Sequence, residues 1–347
     1  MKRKLLILLV LTFLVSAIPV LVHAENNTSW NFDNGILTIS GNGDMTDYNS
    51  TDKRPWENIL TQINKIIIKE GITSVGDWSF AYCTNVSELS LPQSLKDIGI
   101  RSFYNCNMLT HIKTPYNVVS IGDGAFNSCT NVTRVDLPDK LEKIGASAFM
   151  NLPHLSALII PKNVNNIGQW AFFGNTSMKG LYFEGDIPQH IGLYIIANIH
   201  KDYSVYYDKS YQNNWFDANM FDEKHVLIYD SNEFIPVYLN NSMLNFDSQP
   251  IITNDRTLVP MRKIFEAMGA VVDWDDTTRT AIAKKGDITI SIHINSKIMY
   301  KNNTAINLDT PAMIVDDRTL VPVRAISEAL GAEVTWNKYE RSVNIKY

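Results

Sequence analysis

A regular repeat constrains this chain more than any other feature of its sequence. Glycine, phenylalanine and proline each recur with a 23-residue period: Gly76, Gly99, Gly122, Gly145 and Gly168; Phe80, Phe103, Phe126, Phe149 and Phe172; Pro92, Pro115, Pro138 and Pro161. A fixed period of this size indicates a solenoid of stacked coils. No coil can bury its apolar side alone, so such an array also needs caps at its ends.

Apolar residues two positions apart, such as Val135 and Leu137, predict one short strand in each coil. Stacked strands form a parallel sheet with a spacing of about 4.8 Å, so five or six coils predict a rod of roughly 25 to 30 Å. Proline then ends each strand, and the Ile-Gly corner precedes a phenylalanine that fills the core.

The repeats occupy residues 66–183, and each flanking segment predicts a cap. Residues 25–65 form the first cap, with a hairpin around Asn34-Gly35. Residues 184–230, in which the pattern decays, predict an irregular last coil and a second cap. The fold class is therefore β-rich and multidomain.

The repeated phrase I-G-x-x-A-F-x-x-C-x-x-L/V-x-x-V/L-x-L-P resembles the BspA-like leucine-rich repeats of bacterial surface proteins. The resemblance covers about residues 26–230, and it implies an extracellular adhesion or ligand-binding scaffold. Three positions depart from the pattern: Thr114 replaces an apolar strand residue, while Leu152 and Asn175 replace the cysteine.

The three cysteines, Cys83, Cys106 and Cys129, follow the same period. One per coil, they fill the same small slot, which predicts buried thiols rather than a secreted disulfide framework or a metal site. Neighbouring coils are nevertheless close enough for one bridge.

A second self-match begins near Glu233, where each half of the segment resembles the other at an offset of 62 positions. Asp255-Arg256-Thr257-Leu258-Val259-Pro260 returns as Asp317-Arg318-Thr319-Leu320-Val321-Pro322, and the match continues through Trp274 and Trp336. In each half, Asn-Asn predicts a hairpin, proline opens a helix and glycine closes it. Arginine and glutamate four apart predict pairs within each helix, Arg262 with Glu266 and Arg324 with Glu328.

The phrase D-R-T-L-V-P-x-R-x-I-x-E-A-x-G-A-x-V-x-W, present twice, resembles the copper amine oxidase N-terminal (stalk) domain. The resemblance covers about residues 233–347 and implies a small α+β module for presentation, attachment or dimer contact. It does not imply an oxidase, because the stalk carries neither copper nor the redox cofactor and this region has only His293.

Residues 1–24 predict a secretory signal peptide, with Lys2, Arg3 and Lys4 before an apolar run that ends at Val22-His23-Ala24. An uncleaved anchor is the alternative, since the apolar run of residues 5–22 approaches the length of a membrane span. Cleavage after Ala24 leaves residues 25–347, with a net charge of −8 and no predicted membrane span. That sign argues against a nucleic-acid partner.

Motifs for catalysis and cofactors are missing from the sequence. It lacks H-E-x-x-H, C-x-x-C, G-x-S-x-G and a phosphate loop. Two acidic turns, Asp44/Asp47/Asn49/Asp52 and Asp273/Asp275/Asp276, offer oxygen ligands for Ca²⁺ without the EF-hand pattern, so solvated turns are favoured. We therefore predict a non-enzyme with no catalytic residue, metal or cofactor.

The strand residues between the buried pairs are the candidate ligand contacts, because they emerge on the opposite, concave face of the sheet. The candidates are Glu88, Ser90, His111, Lys113, Arg134, Asp136 and Tyr182. A merely solvated sheet face is the alternative for any one of them.

These features predict a secreted or cell-surface adhesion protein whose solenoid binds an extracellular protein or glycan, while the stalk domain presents or attaches it. A structural envelope component that binds cell-wall polymer is the alternative. A secreted hydrolase that uses the acidic residues is a weaker one.

Overall fold

A computed structural model describes residues 27–208, 210, 226–229, 234–337 and 341–347. The predicted signal peptide and the polar junction at 230–233 lie outside the described residues. The division of the chain at that junction therefore stays a prediction.

The first part of the chain is a β-solenoid built from two series of parallel strands. Longer strands form the wide side: β2 (Ile36–Gly41), β4 (Lys65–Ile68), β6 (Glu88–Ser90), β8 (His111–Lys113), β10 (Arg134–Asp136), β12 (Ala157–Ile160), β14 (Gly180–Phe183), β16 (Ser204–Asp208) and β17 (Val226–Tyr229). Shorter strands form one seven-stranded sheet: β3 (Gly43–Asp44), β5 (Ile72–Val75), β7 (Asp97–Ile98), β9 (Ser120–Ile121), β11 (Lys143–Ile144), β13 (Asn166–Ile167) and β15 (His190–Ile191).

The repeated phenylalanines form a continuous stack through the solenoid core. All five, from Phe80 to Phe172, are fully buried, and neighbouring ring centroids lie 5.2 to 6.4 Å apart. The corner glycines permit this stacking, since a Cβ on Gly122 would lie 2.7 Å from the carbonyl carbon of Gly99. The predicted register is thus confirmed.

The cysteine slot works as a hydrogen-bonded ladder. The thiols are free and buried; Cys106 donates to the carbonyl oxygen of Phe80 (3.3 Å), and Cys129 to that of Phe103 (3.2 Å). Asn175 takes the same place, donating to the carbonyl of Phe149 (3.1 Å) and accepting from the amide of Leu152 (2.7 Å). From the position of the cysteine, the asparagine side chain thus forms one donor and one acceptor hydrogen bond to the preceding coil. Burial raises the pKa of the Cys83 thiol to about 12, so the thiol stays protonated.

Additional strands flank the repeats in the segments where the sequence predicts caps. Strand β1 (Thr28–Asp33) forms an antiparallel hairpin with β2 through Asn34 and Gly35, and β2 pairs with β4 in parallel. A 3₁₀ helix (Glu57–Gln62) follows Trp56, whose ring stacks on Phe80 at 5.5 Å. At the other end β16 and β17 extend the sheet beyond β14, although the sequence repeat has faded there.

The second part of the chain has its own apolar core and consists mainly of strands. It contains β18 (Val237–Leu239), β19 (Ser242–Met243), β20 (Ile251–Thr253), β21 (Arg256–Pro260), α1 (Met261–Ala267), β22 (Val271–Asp275), β23 (Thr280–Lys285), β24 (Ile288–His293), β25 (Ile298–Lys301), β26 (Thr304–Asn307), β27 (Met313–Val315), β28 (Arg318–Pro322), α2 (Val323–Ala329), β29 (Glu333–Asn337) and β30 (Ser342–Lys346). The helices and Asn-Asn hairpins lie where the duplication predicts them.

The two halves meet around a local pseudo-two-fold axis. Strands β21 and β28 pair antiparallel with Val259 opposite Val321, two residues that are themselves 62 apart. Arg256 binds Asp309 and Arg318 binds Asp247, each at 2.6 Å, so the ion pairs are exchanged between halves. The prediction of pairs within each helix was wrong: Arg262 and Glu266 are exposed and form no ion pair within the described residues.

Phe126 provides a test of the stacked core. Replacing Phe126 with alanine should lower the free energy of unfolding by about 3 to 5 kcal/mol, because a fully buried ring is lost between two neighbours. The exposed Asn131→Ala is the control. Urea unfolding measures both, and a loss below about 1 kcal/mol for Phe126→Ala would contradict the register.

Glu184 predicts a pH dependence of stability. Burial and the nearby Asp139 and Asp208 raise its pKa from 4.5 to about 7, against the opposing effect of Lys162. The folded protein therefore binds this proton more tightly than the unfolded chain, and stability should fall by up to about 3 kcal/mol as pH rises from 4.5 to 7. Glu184→Gln should remove this part of the decline in the free energy of unfolding, which urea unfolding at a series of pH values measures. Parallel pH curves for wild type and variant would contradict it, and the exposed Glu142→Gln is the control.

Candidate functional site

The concave face of the solenoid brings the predicted ligand contacts into two adjacent rows. Strand pairing aligns Lys65 with Glu88, His111 with Arg134, and Ala157 with Gly180. The second row, two residues further along each strand, contains Ile67, Ser90, Lys113, Asp136, Ile159 and Tyr182. The two-by-two arrangement of His111, Lys113, Arg134 and Asp136 is thus present as the alternation predicts.

The first three coils expose a polar surface, which we call the open half: Lys65, Glu88, Ser90, His111 and Lys113. The Lys65 amine and the Glu88 carboxylate form an exposed ion pair at 2.6 Å. Ser90 and Lys113 are exposed, and the His111 ring is 29% exposed. These side chains lie outside the apolar core and are at least partly exposed.

Arg134 connects the open half to the second domain. Its side chain is only 5% exposed and binds Asp136 at 2.7 Å, while the His111 ring meets the other carboxylate oxygen of Asp136 at 2.7 Å. Its guanidinium lies 3.7 Å from the centroid of the Tyr238 ring and donates to the Asn344 side-chain oxygen. Burial raises the pKa of Asp136, but the hydrogen bonds from His111 and Arg134 outweigh it and hold the pKa below its usual value.

Beyond Arg134 the second domain covers the concave sheet. Tyr182 is 1% exposed and stacks on Tyr206 at 4.3 Å, with Phe234 of the second domain 4.6 Å from it. The Tyr182 hydroxyl donates to the Asn245 side-chain oxygen at 3.2 Å. Ser156 donates to the carbonyl of Met243 at 2.9 Å. We call this apolar surface, formed by Ala157, Ile159, Tyr182 and Tyr206, the covered half.

The structure therefore divides the predicted contact residues. Glu88, Ser90, His111 and Lys113 lie in the open half, Asp136 borders it, and Arg134 and Tyr182 are buried at the domain interface. The sequence contains a signal for this division that repeat analysis missed. Charged residues at one strand position change to Ala157 and Gly180, and a Cβ on Gly180 would lie 3.0 Å from the Asn245 side-chain oxygen.

The acidic turns serve the backbone. Asn49 accepts from the Thr51 and Asp52 amides, and Asp275 accepts from the Thr277 and Thr278 amides. Over the described parts of the chain, no group of three or more His, Cys, Asp or Glu side chains is placed to hold a metal ion. In the same parts, no helix has the length and apolarity to cross a membrane.

Two protein families match the chain, one for each part. The BspA type leucine rich repeat region matches residues 56–179 in six copies, and the copper amine oxidase N-terminal domain matches residues 238–345. The two matches follow one another along the chain without overlap. Both resemblances noted from the sequence are thereby confirmed, as is the solenoid fold.

Solved structures with similar chains are bacterial leucine-rich repeat proteins. A T. pallidum protein is 20% identical over 49% of this chain and 86% of its own, with a TM-score of 0.38. A Bacteroides ovatus protein is 15% identical over 62% and 70%, with a TM-score of 0.35. A leucine rich cell surface protein of Faecalibacterium prausnitzii is 15% identical over 53% and 76%, with a TM-score of 0.29. No curated protein matches the chain.

The contact between Arg134 and Asn344 provides a test of the interface between the repeat region and the amine oxidase N-terminal domain. In a double-mutant cycle, Arg134→Ala and Asn344→Ala should show a coupling energy above about 0.5 kcal/mol, because the two side chains bond to each other. Urea unfolding of the full chain measures the cycle. As the control, Arg134→Ala with Asp309→Ala should be additive, since Asp309 pairs with Arg256 within the second domain. Zero coupling between Arg134 and Asn344 would contradict the interface.

Proposed function

We propose that this chain is a surface-associated, non-catalytic adhesion protein whose open half binds an extracellular protein. The observation that carries the proposal is the exposed polar surface of Lys65, Glu88, Ser90, His111 and Lys113 on a rigid, fully stacked core. Concave solenoid faces provide extended binding surfaces of this kind. The predicted signal peptide and the BspA-type repeat support a location outside the cell.

The chemistry of the open half favours a protein over a small ligand. The four strands from β4 to β10 span roughly 15 Å at the usual strand spacing, which gives an extended binding area. It carries charges of both signs, as in the Lys65–Glu88 pair. A partner surface with complementary charges would form salt-sensitive contacts there.

The second domain contributes to this function by fixing the edge of the binding surface. It occupies the covered half, and Arg134 and Asp136 mark the boundary. The ligand is therefore confined to the first coils of the solenoid and to whatever part of the second domain borders them. The same contact supports a role of the second domain in presenting the solenoid.

A panel of immobilised extracellular proteins, probed with the full chain, tests the proposal. The variant that combines Glu88→Ala, Ser90→Ala, His111→Ala and Lys113→Ala should keep the fold, because these side chains lie outside the core, and should weaken binding by about tenfold or more. Asn127→Ala with Asn131→Ala, off this sheet, is the matched control. Equal binding by wild type and the concave variant would refute the placement. If wild type binds a glycan array and the concave variant does not, the ligand of the open half is a glycan and not a protein.

A further inference from the structure

The second domain contains a cavity of about 720 Å³ that lies outside its contact with the solenoid. One wall is α1 and β22 of the first half, with Arg262, Glu266 and Trp274. The other is the hairpin of β27 and β28 in the second half, with Ile314, Asp317 and Arg318. Its size falls within the range of roughly 300 to 1,000 Å³ that is typical of ligand sites.

The duplication allows the two halves to be compared residue by residue. Between positions 237 and 285, 22 of the 49 positions carry the same amino acid as the position 62 further along. Around the cavity the proportion rises, since ten of the fifteen lining residues are identical to their counterparts in the other half. The retained set therefore includes more than the apolar core of the domain.

Packing explains only part of this retention. Pro260 opens a helix, and Arg318 binds Asp247 across the halves. Arg262 and Glu266 have no such role, because both are exposed and neither has a hydrogen bond or ion pair within the described residues. Their counterparts Arg324 and Glu328 are exposed as well, and Trp336, the counterpart of Trp274, is 40% exposed. An arginine and a glutamate thus recur in both halves as exposed residues without a packing role, beside a tryptophan that is exposed in the second half and partly packed against the core in the first.

The chemistry of this set fits a sugar. The indole of Trp274, whose N–H donates to Asp276, offers an apolar ring face for the C–H side of a pyranose. Arg262 supplies planar donors and Glu266 a carboxylate acceptor beside it, and neighbouring sugar hydroxyls can both donate and accept. Five carboxylates and three cationic side chains line the cavity, and this excess of negative charge favours a hydroxyl-rich ligand over a polyanion.

We propose that the cavity at Trp274 and the equivalent surface at Trp336 are two binding sites for a polysaccharide with repeating pyranose units. Two equivalent sites in one domain suit a repeating polymer. Once one site has bound a polymer molecule, the second site binds the same molecule intramolecularly, and this raises the apparent affinity. The proposal goes beyond the function of the solenoid, since no concave residue takes part, and it gives the second domain its own role in attachment.

Co-sedimentation of the full chain with insoluble chitin, cellulose and protease-treated peptidoglycan tests the proposal. Wild type should be retained by at least one of them. Trp274→Ala or Trp336→Ala should each lower the apparent affinity by roughly 10- to 100-fold, and the double variant should reduce retention to background. Trp170→Ala, an exposed tryptophan of the solenoid, is the matched control and should bind as wild type does.

Arg262→Ala with Arg324→Ala repeats the test at exposed positions that cannot damage the core, and thermal unfolding confirms the fold of every variant. Retention by none of the three polymers, or retention that survives the double tryptophan and double arginine variants, overturns the proposal. Retention on peptidoglycan that disappears after the stem peptides are removed assigns a peptide ligand and also overturns it. Binding of the open half to a protein is measured separately, so the failure of one proposal leaves the other standing.

Discussion

The close approach of successive backbones at the Ile-Gly corners is the constraint on which the solenoid depends. A Cβ at Gly145 or Gly168 would lie 2.5 or 2.2 Å from a backbone nitrogen of the preceding coil. With glycine at these corners, the shorter strands can pair into the seven-stranded sheet, and the phenylalanine rings of adjacent coils come into contact. The same close approach sets the spacing of the longer strands on the wide side. The glycine corners therefore also determine where the concave side chains lie.

A fixed concave sheet has consequences for the second domain. The buried Arg134 would be unfavourable alone, because a desolvated cation needs a partner. Asp136 supplies a carboxylate within the solenoid, and Tyr238 and Asn344 of the second domain complete its surroundings. The interface thus combines a polar boundary at Arg134 with the apolar covered half around Tyr182. The same contacts that join the domains determine which part of the concave face stays open.

Local patterns were sufficient to predict most of the fold. The 23-residue period predicted the buried phenylalanines, Asn34-Gly35 predicted the first hairpin, and Pro260 with Gly269 predicted helix α1. Contacts between distant segments were not predictable in this way. Arg134 meets Asn344 across 210 positions, and the exchanged ion pair of Arg256 with Asp309 depends on how two similar halves dock. A periodic sequence pattern predicts the local structure within each repeat, but it does not predict which distant segments contact each other.

The site residues show the same limit from another side. The repeat places all concave side chains on one face of the sheet, but it does not distinguish the exposed ones from Arg134 and Tyr182, which are buried at the domain interface. At one concave strand position, charged residues in the first coils are replaced by Ala157 and Gly180 in later coils. The reason for this change is visible only in the structure, where Asn245 of the second domain packs against Gly180. The helical spacing of Arg262 and Glu266 predicts a pair, whereas in the described parts of the chain neither side chain has a bonded partner and both line a cavity.

The two repeats of this chain differ in what they retain. In the solenoid, the recurring glycines, phenylalanines and cysteines are buried, and the exposed strand positions differ from coil to coil, as in Lys65, Glu88 and His111. Such a surface is unique along its length and suits one particular partner. In the second domain, exposed residues recur together with the core, as Arg262 and Arg324 do. A surface present twice suits a ligand that is itself repeated, as proposed for the cavity at Trp274 and the surface at Trp336.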